Sequence, residues 1–220
     1  MDKFIQVKNN PQVLEFIKQT DIALEALGYT EHGIKHASLV SDRAISIAKE
    51  IGLSKKDQEL VAIASFCHDM GNFLSRKYHN NFGATLFHQL FSNDFEPKSM
   101  SLIMQAVAFH DRSEMTLCNP ISAITIIADK SDVRRSRVTE TKMQKIREDI
   151  HDRVNYATKK SNIKIDKKKK TVTLVLKIDT NFVPVIEYFE IFTDRMVYCR
   201  KAANFLHYKF GLVINNFKLL

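Results

Sequence analysis

The stretch Ile63–Asn72, IASFCHDMGN, closes an apolar run with a histidine and an aspartate side by side. Working outward, Lys56 to Met70 reads as a helix that is apolar nearly all round (Leu60, Val61, Ala62, Ile63, Ala64, Phe66 and Cys67), the mark of burial on most sides. Charge carried into such surroundings costs several kcal/mol unless it is paired, reaches water in a cleft or binds a metal. The stretch therefore predicts a helical core in which His68 and Asp69 have partners from elsewhere in the chain.

The flanking sequence supplies candidates. Pro11 to Leu27 carries apolar residues at helical spacing (Val13, Phe16, Ile17, Leu24, Leu27), stopped by Gly28. The segment EHGIKHASLVSDRAISIAKEIG puts Ala37, Val40, Ala44, Ile47, Ala48 and Ile51 on one face, with His36 at its edge and Gly52 as terminator. HNNFGATLFHQLF aligns His79 with Phe82, Gly83, Leu86 and Leu90, with His88 on the opposite side. Lys98 to His110 faces Met100, Ile103, Met104 and Val107 inward and ends on His110. Asn119 and Pro120 form an N-cap and first helical position for ISAITIIADKSDVRRS, whose apolar opening leads to Asp129.

Beyond Met143 a helix is expected through IREDIHDRVNYATKK, and then the periodicity changes. NIKID and TVTLVLKID alternate as two strands, with Val172, Leu174, Leu176 and Ile178 on one side and a turn containing Lys167 to Lys170 between them. A helix from about Phe182 to Lys209 and a last strand, GLVINN, complete a β-β-α-β cap. The expectation is a mainly α chain, with a helical body over 1–160 and a small α+β extension over 161–220 packed on it.

Composition narrows the class. In 220 residues, 45% hydrophobic and 26% charged with six Gly and four Pro, nothing suggests a disordered or fibrous chain. The net charge of +8 suits an anionic partner, although charge alone selects none. Three widely spaced cysteines, none in a CxxC pair, argue against a disulfide framework and fit a reducing cytoplasm. No segment approaches the ~20 apolar residues of a membrane span, so no membrane partner is expected.

His36, His68, Asp69, His79, His110 and Asp129 all lie at the ends or inner edges of apolar helices. Imidazole nitrogens and carboxylate oxygens suit a borderline transition metal, and one carboxylate can bridge two ions. In this order the residues resemble the HD-domain metal-dependent phosphohydrolases: His36 in GIKHASLV, His68 and Asp69 in CHDMGN, and Asp129 in IIADKSDVRR. His79 and His110 resemble the additional ligands of the binuclear branch. The resemblance covers about residues 30 to 140 and implies a helical bundle around one or two divalent ions (Fe, Mn, Zn, Ni or Co, with Mg as an alternative). The implied reaction is hydrolysis of a phosphomonoester or phosphodiester by metal-bound hydroxide, with a nucleotide or related small molecule as substrate. Asp69 would bridge the ions or orient the water, with His68 beside it.

Two departures shift the roles. Where many members close the doublet motif with a lysine this chain has Asn72, which keeps a place at the substrate phosphate as a neutral contact while the cationic role passes to another group; Lys130, Arg134 and Arg137 follow the last ligand, and Arg134 or Arg137 is the preferred clamp. Where members with two firmly held ions carry adjacent histidines, this chain has Phe109, His110 and Asp111, making Asp111 an oxygen ligand in reserve. Both departures keep open a second reading, a non-catalytic HD-type module that binds a nucleotide or metal and regulates a partner.

Other motifs read more plainly. The second doublet, His151 and Asp152, sits in a charged segment and reads as a solvated helix face, with a reach into a cleft left open for the neighbouring Arg153 and Tyr156. His32 is read as a plain N-terminal residue with a substrate or supporting role as the alternative. His88 and His207 are assigned to surface or packing, and Cys67 to the core. The lysine run reads as a charged turn rather than a nucleic-acid site. The strand-edged cap offers a surface on which two subunits could pair as a homodimer.

Overall fold

Asn10 opens the first long helix by accepting the Gln12 and Val13 amides on its side chain, with Pro11 at the first helical position. The computed structural model describes residues 1–111 and 117–219 of the chain. Its contacts divide it into two compact units, Met1–Asp129 and Lys130–Leu220. The division precedes the expected 160/161 boundary because the helices before 160 pack among the second unit's own elements.

The described part of the first unit is helical: α1 (Asp2–Lys8), α2 (Pro11–Ala26), α3 (Ile34–Ile51), α4 (Lys55–Cys67), α5 (His79–Phe91), α6 (Pro97–Phe109) and α7 (Pro120–Lys130), whose last residue passes into the second unit. The helix α4 packs against α1, α3 and α6, and α5 against α6. Ile63 and Phe66 of α4 are buried, each contributing about 1.5–3 kcal/mol. Turning α4 to release His68 would expose them, so His68 is held inward. Gly52 ends α3 in the left-handed region at φ 90°, as its position predicts. Asn119 Oδ1 accepts the Ser122 amide at 2.8 Å, the expected cap of α7.

The structure adds the helix α1 to the expected elements and moves the inward face of α5. The buried stripe of α5 runs through His79, Gly83, Ala84, Phe87 and Phe91, while Phe82 is 40% exposed. Phe87 and Phe91 fill the interior that Phe82 and Leu90 were expected to fill.

In the second unit a 3-10 turn (Arg135–Arg137) precedes α8 (Met143–Glu148) and α9 (Ile150–Ala157). The expected single helix breaks at Asp149, whose side chain accepts the Asp152 amide and caps α9. Strands β1 (Thr158–Asp166) and β2 (Thr171–Ile178) form an antiparallel hairpin. The helix α10 (Val185–Phe205) then carries the chain across to β3 (Lys209–Ile214), which pairs with β2 in parallel. A fourth strand, β4 (Phe217–Lys218), was not foreseen. It folds back on β3 through Asn215 and Asn216, both at positive φ, the conformation favoured in two-residue hairpin turns. The alternating Val172, Leu174, Leu176 and Ile178 are all buried. Among the described residues no helix is long and apolar enough to cross a membrane.

Candidate metal centre

His36 lies in the first turn of α3, where Glu31 Oε1 accepts the Gly33 and His36 amides at 2.9 and 3.2 Å and fixes the helix start. His68 and Asp69 follow the last residue of α4, His79 begins α5, His110 follows the last residue of α6 and Asp129 lies in the last turn of α7. Each of the four histidines is at most 3% exposed. The centre is thus built where helices end, so that side chains from five segments converge without a polar group crossing the apolar faces.

The histidines are aimed by backbone carbonyls three residues earlier. His68 Nδ1 donates to Ser65 O at 2.7 Å, His79 Nδ1 to Arg76 O at 2.8 Å and His110 Nδ1 to Val107 O at 2.7 Å. A nitrogen donating to a carbonyl carries the proton, so in the neutral rings Nε2 presents a lone pair. These Nε2 atoms face other acceptors. His68 Nε2 lies 3.3 Å from His36 Nε2, 3.2 Å from Asp69 Oδ2 and 3.6 Å from Asp129 Oδ1. His36 Nε2 is 3.7 Å from Asp69 Oδ2 and 3.5 Å from Asp129 Oδ1. On the other side of Asp69, His79 and His110 stand 3.2 Å apart through Nε2, each 3.4 Å from Asp69 Oδ1. Asp111 Oδ2 is 3.7 Å from His79 Nε2.

Lone pairs and carboxylates gathered so closely repel unless a proton or cation lies among them. Four ligands at about 2.1 Å around one ion would stand about 3.4 Å from one another, which is the spacing seen here. The donor set fits a borderline divalent metal. His36, His68 and Asp69 could hold one ion, and Asp69, His79 and His110 another; Asp129 groups with His68 and His110 in the same way. The two oxygens of Asp69 divide between the histidine pairs.

The electrostatics of the protein without metal register the same crowding. Burial pushes His68 down, but the facing Asp69 and Asp129 carboxylates outweigh it and raise the imidazole to about 10. Burial opposes ionisation of Asp69, yet His68 and His110 hold its carboxyl well below the usual range. His79 is lowered to about 4 by burial and by the charge of His110, against the pull of Asp69.

Asn72, expected at the substrate phosphate, is buried and donates through Nδ2 to Asp69 Oδ1 and to the Asp69 carbonyl, both at 2.9 Å, so it fixes the Asp69 carboxylate. The preferred arginine clamp is tied elsewhere. Arg134 Nε donates to Asp132 Oδ1 at 3.0 Å, and Arg137, 2% exposed, donates through Nη1 to the Asp132 carbonyl at 3.1 Å. Lys130 is buried as well. His151 is exposed, as are His88 and His207. Arg153 pairs with Glu187, and the Tyr156 ring lies under Arg135 and beside Phe182. Cys67 is buried, which raises its thiol and fits a core role. His32 lies closer to the centre than expected, with its ring 5.5 Å from that of His36.

Sequence reasoning missed two features. Arg76 reaches the centre from the loop before α5, directing Nη1 to Asn72 Oδ1 at 3.3 Å and Asp111 Oδ2 at 3.5 Å. Gly71 packs directly on the first turn of α5: a Cβ there would run into the His79 carbonyl and the Gly83 amide. Arg76 carries neither periodicity nor a motif, and the place of Gly71 within CHDMGN does not reveal which backbone packs on it; both depend on how the loop folds back.

The HD domain family model matches residues 33–167, more than half of the chain and all six converging side chains. Uncharacterized protein MJ1020 of Methanocaldococcus jannaschii is 25% identical over 151 residues, covering 58% of this chain and 58% of that protein. The chain thus spans less than two thirds of the length of that relative. By the extent of the family match, the chain belongs to the HD domain family, a superfamily of metal-dependent phosphohydrolases.

Proposed function

We propose that the protein is a metal-dependent phosphohydrolase that cleaves a phosphate ester of a nucleotide or a related small molecule at a two-ion centre. The observation that carries this reading is the division of Asp69 between two histidine pairs, with Oδ2 toward His36 and His68 and Oδ1 toward His79 and His110. His36, His68, Asp69 and Asp129 would hold one ion, and His79, His110 and Asp69 the other, with Asp111 as a further oxygen ligand. Divalent ions bound there would supply Lewis acidity, lowering the pKa of water from 15.7 toward about 7 and neutralising charge on phosphoryl oxygens.

The protein's own groups set the conditions for that chemistry. Carbonyls of Ser65, Arg76 and Val107 keep three imidazoles protonated at Nδ1, so Nε2 stays available as a ligand. Asn72 fixes Asp69, whose low proton affinity keeps it an anion at neutral pH. The histidines are buried against apolar residues of α4, α6 and α7, a low-dielectric surrounding that strengthens the electrostatics of the cluster.

The test is elemental analysis of the purified protein with a screen of nucleotides and generic phosphate esters, using Asp69→Ala as control. Hydrolysis that depends on Mn or Fe and vanishes in Asp69→Ala supports the proposal. Bound metal with no hydrolysis of any ester would instead identify a binding module.

A further inference from the structure

We propose that Arg76 binds the phosphate of the substrate; the assignment rests on the phosphohydrolase reading above. Arg76 lies three residues before His79, and its carbonyl aims that imidazole. The same residue therefore touches the centre through both backbone and side chain.

The guanidinium is placed but not used up. Nη1 donates to Asn72 Oδ1 and Asp111 Oδ2, and a further side-chain hydrogen bond joins the guanidinium to Tyr29. A guanidinium serving Asp111 alone would close to about 2.8 Å, the length of a charge-assisted bond. At 3.5 Å from Asp111 and 3.3 Å from Asn72 it is suspended among several acceptors instead. Five N–H donors are more than these contacts need. The Tyr29 ring lies 5.5 Å below and orients the planar group, and the Arg76 side chain keeps 36% exposure. This cation is anchored on one side, open on the other and adjacent to the Asp69, His79 and His110 ligand set. Such a fork matches two phosphate oxygens at little further cost in side-chain freedom.

The alternative is a purely structural arginine that braces Asp111 and His79. Inorganic phosphate is the probe that separates the two. Titrated into the Mn-loaded protein and followed by calorimetry, it should bind Arg76→Ala at least tenfold more weakly than wild type, with Arg76→Lys between them. Metal content should be the same in all three proteins. Phosphate affinity within twofold of wild type in Arg76→Ala would overturn the assignment. So would loss of metal in that variant, or the absence of phosphate binding to wild type. Wild-type hydrolysis with an unaltered KM in Arg76→Ala would sink this proposal and leave the hydrolase intact. Conversely, tenfold weaker phosphate binding in a protein that hydrolyses nothing would sustain the role of Arg76 and end the hydrolase reading.

Discussion

Gly71→Ala tests the architecture of the centre without touching a ligand. A Cβ on Gly71 would stand 2.5 Å from the Gly83 amide nitrogen and 3.1 Å from its Cα, and would also meet the His79 carbonyl, whereas ordinary contact begins at 3.4 Å. All of these atoms are backbone, so no rotamer change relieves the clash; the first turn of α5 must retreat by about 1 Å. Overpacking of this kind costs about 1–3 kcal/mol, which lowers Tm by about 2–12 °C in a protein of this size. His79 travels with α5, away from His110 Nε2 at 3.2 Å and Asp69 Oδ1 at 3.4 Å. His36, His68 and Asp129 belong to other helices and stay. The variant should therefore melt earlier in chelator and lose one equivalent of Mn by elemental analysis while keeping the other. A Gly71→Ala protein with wild-type Tm and wild-type metal content would refute the close packing and the two-set division together.

Three further outcomes follow from charge. In chelator, the pairing of His68 with its carboxylates contributes fully below the unfolded value of 6.5 and is lost as pH rises through about 10. Tm should fall across that window more steeply in wild type than in His68→Gln, and Mn should flatten the slope by taking the place of the proton; equal slopes in the chelated proteins would contradict it. His79, lowered to about 4, acts with the opposite sign, so its contribution is lost as pH falls from 6.5 to 4. Arg137→Ala removes one of the two guanidinium groups facing the fully buried Asp132 and should cost about 1.5–3 kcal/mol in urea unfolding; a loss below about 0.5 kcal/mol would mean that the remaining partners, Arg134 among them, satisfy that carboxylate.

The helices that build the centre were legible because their signals are local. Gly28 and Gly52 punctuate α2 and α3, Asn119 announces α7, and the all-apolar α4 declares its own burial. The convergence of the ligands was legible because each terminates an apolar face. Features set by close tertiary approach were not. The α5 stripe could be drawn through Phe82 or through Phe87 at the same period, and only packing against α6 selects Phe87. The helix α1 is seven residues long, too short to show a period. Arg134 and Arg137 looked available because their partner, Asp132, is a single residue in a charged run.

The connection between β2 and β3 sets an order of events for the second unit. The β1–β2 hairpin closes over the four residues Lys167–Lys170, whereas β3 rejoins β2 only after the intervening segment that carries α10. Closing the longer loop costs about 2 kcal/mol more in chain entropy if that segment is flexible, and less once α10 has formed and shortened it. The hairpin should assemble early, on a scale of about 1–10 μs, with β3 arriving as the late, slow step. Until then one edge of β2 is bare, so the nascent chain is most exposed to strand-to-strand aggregation while residues 179–208 are still being synthesised or folded.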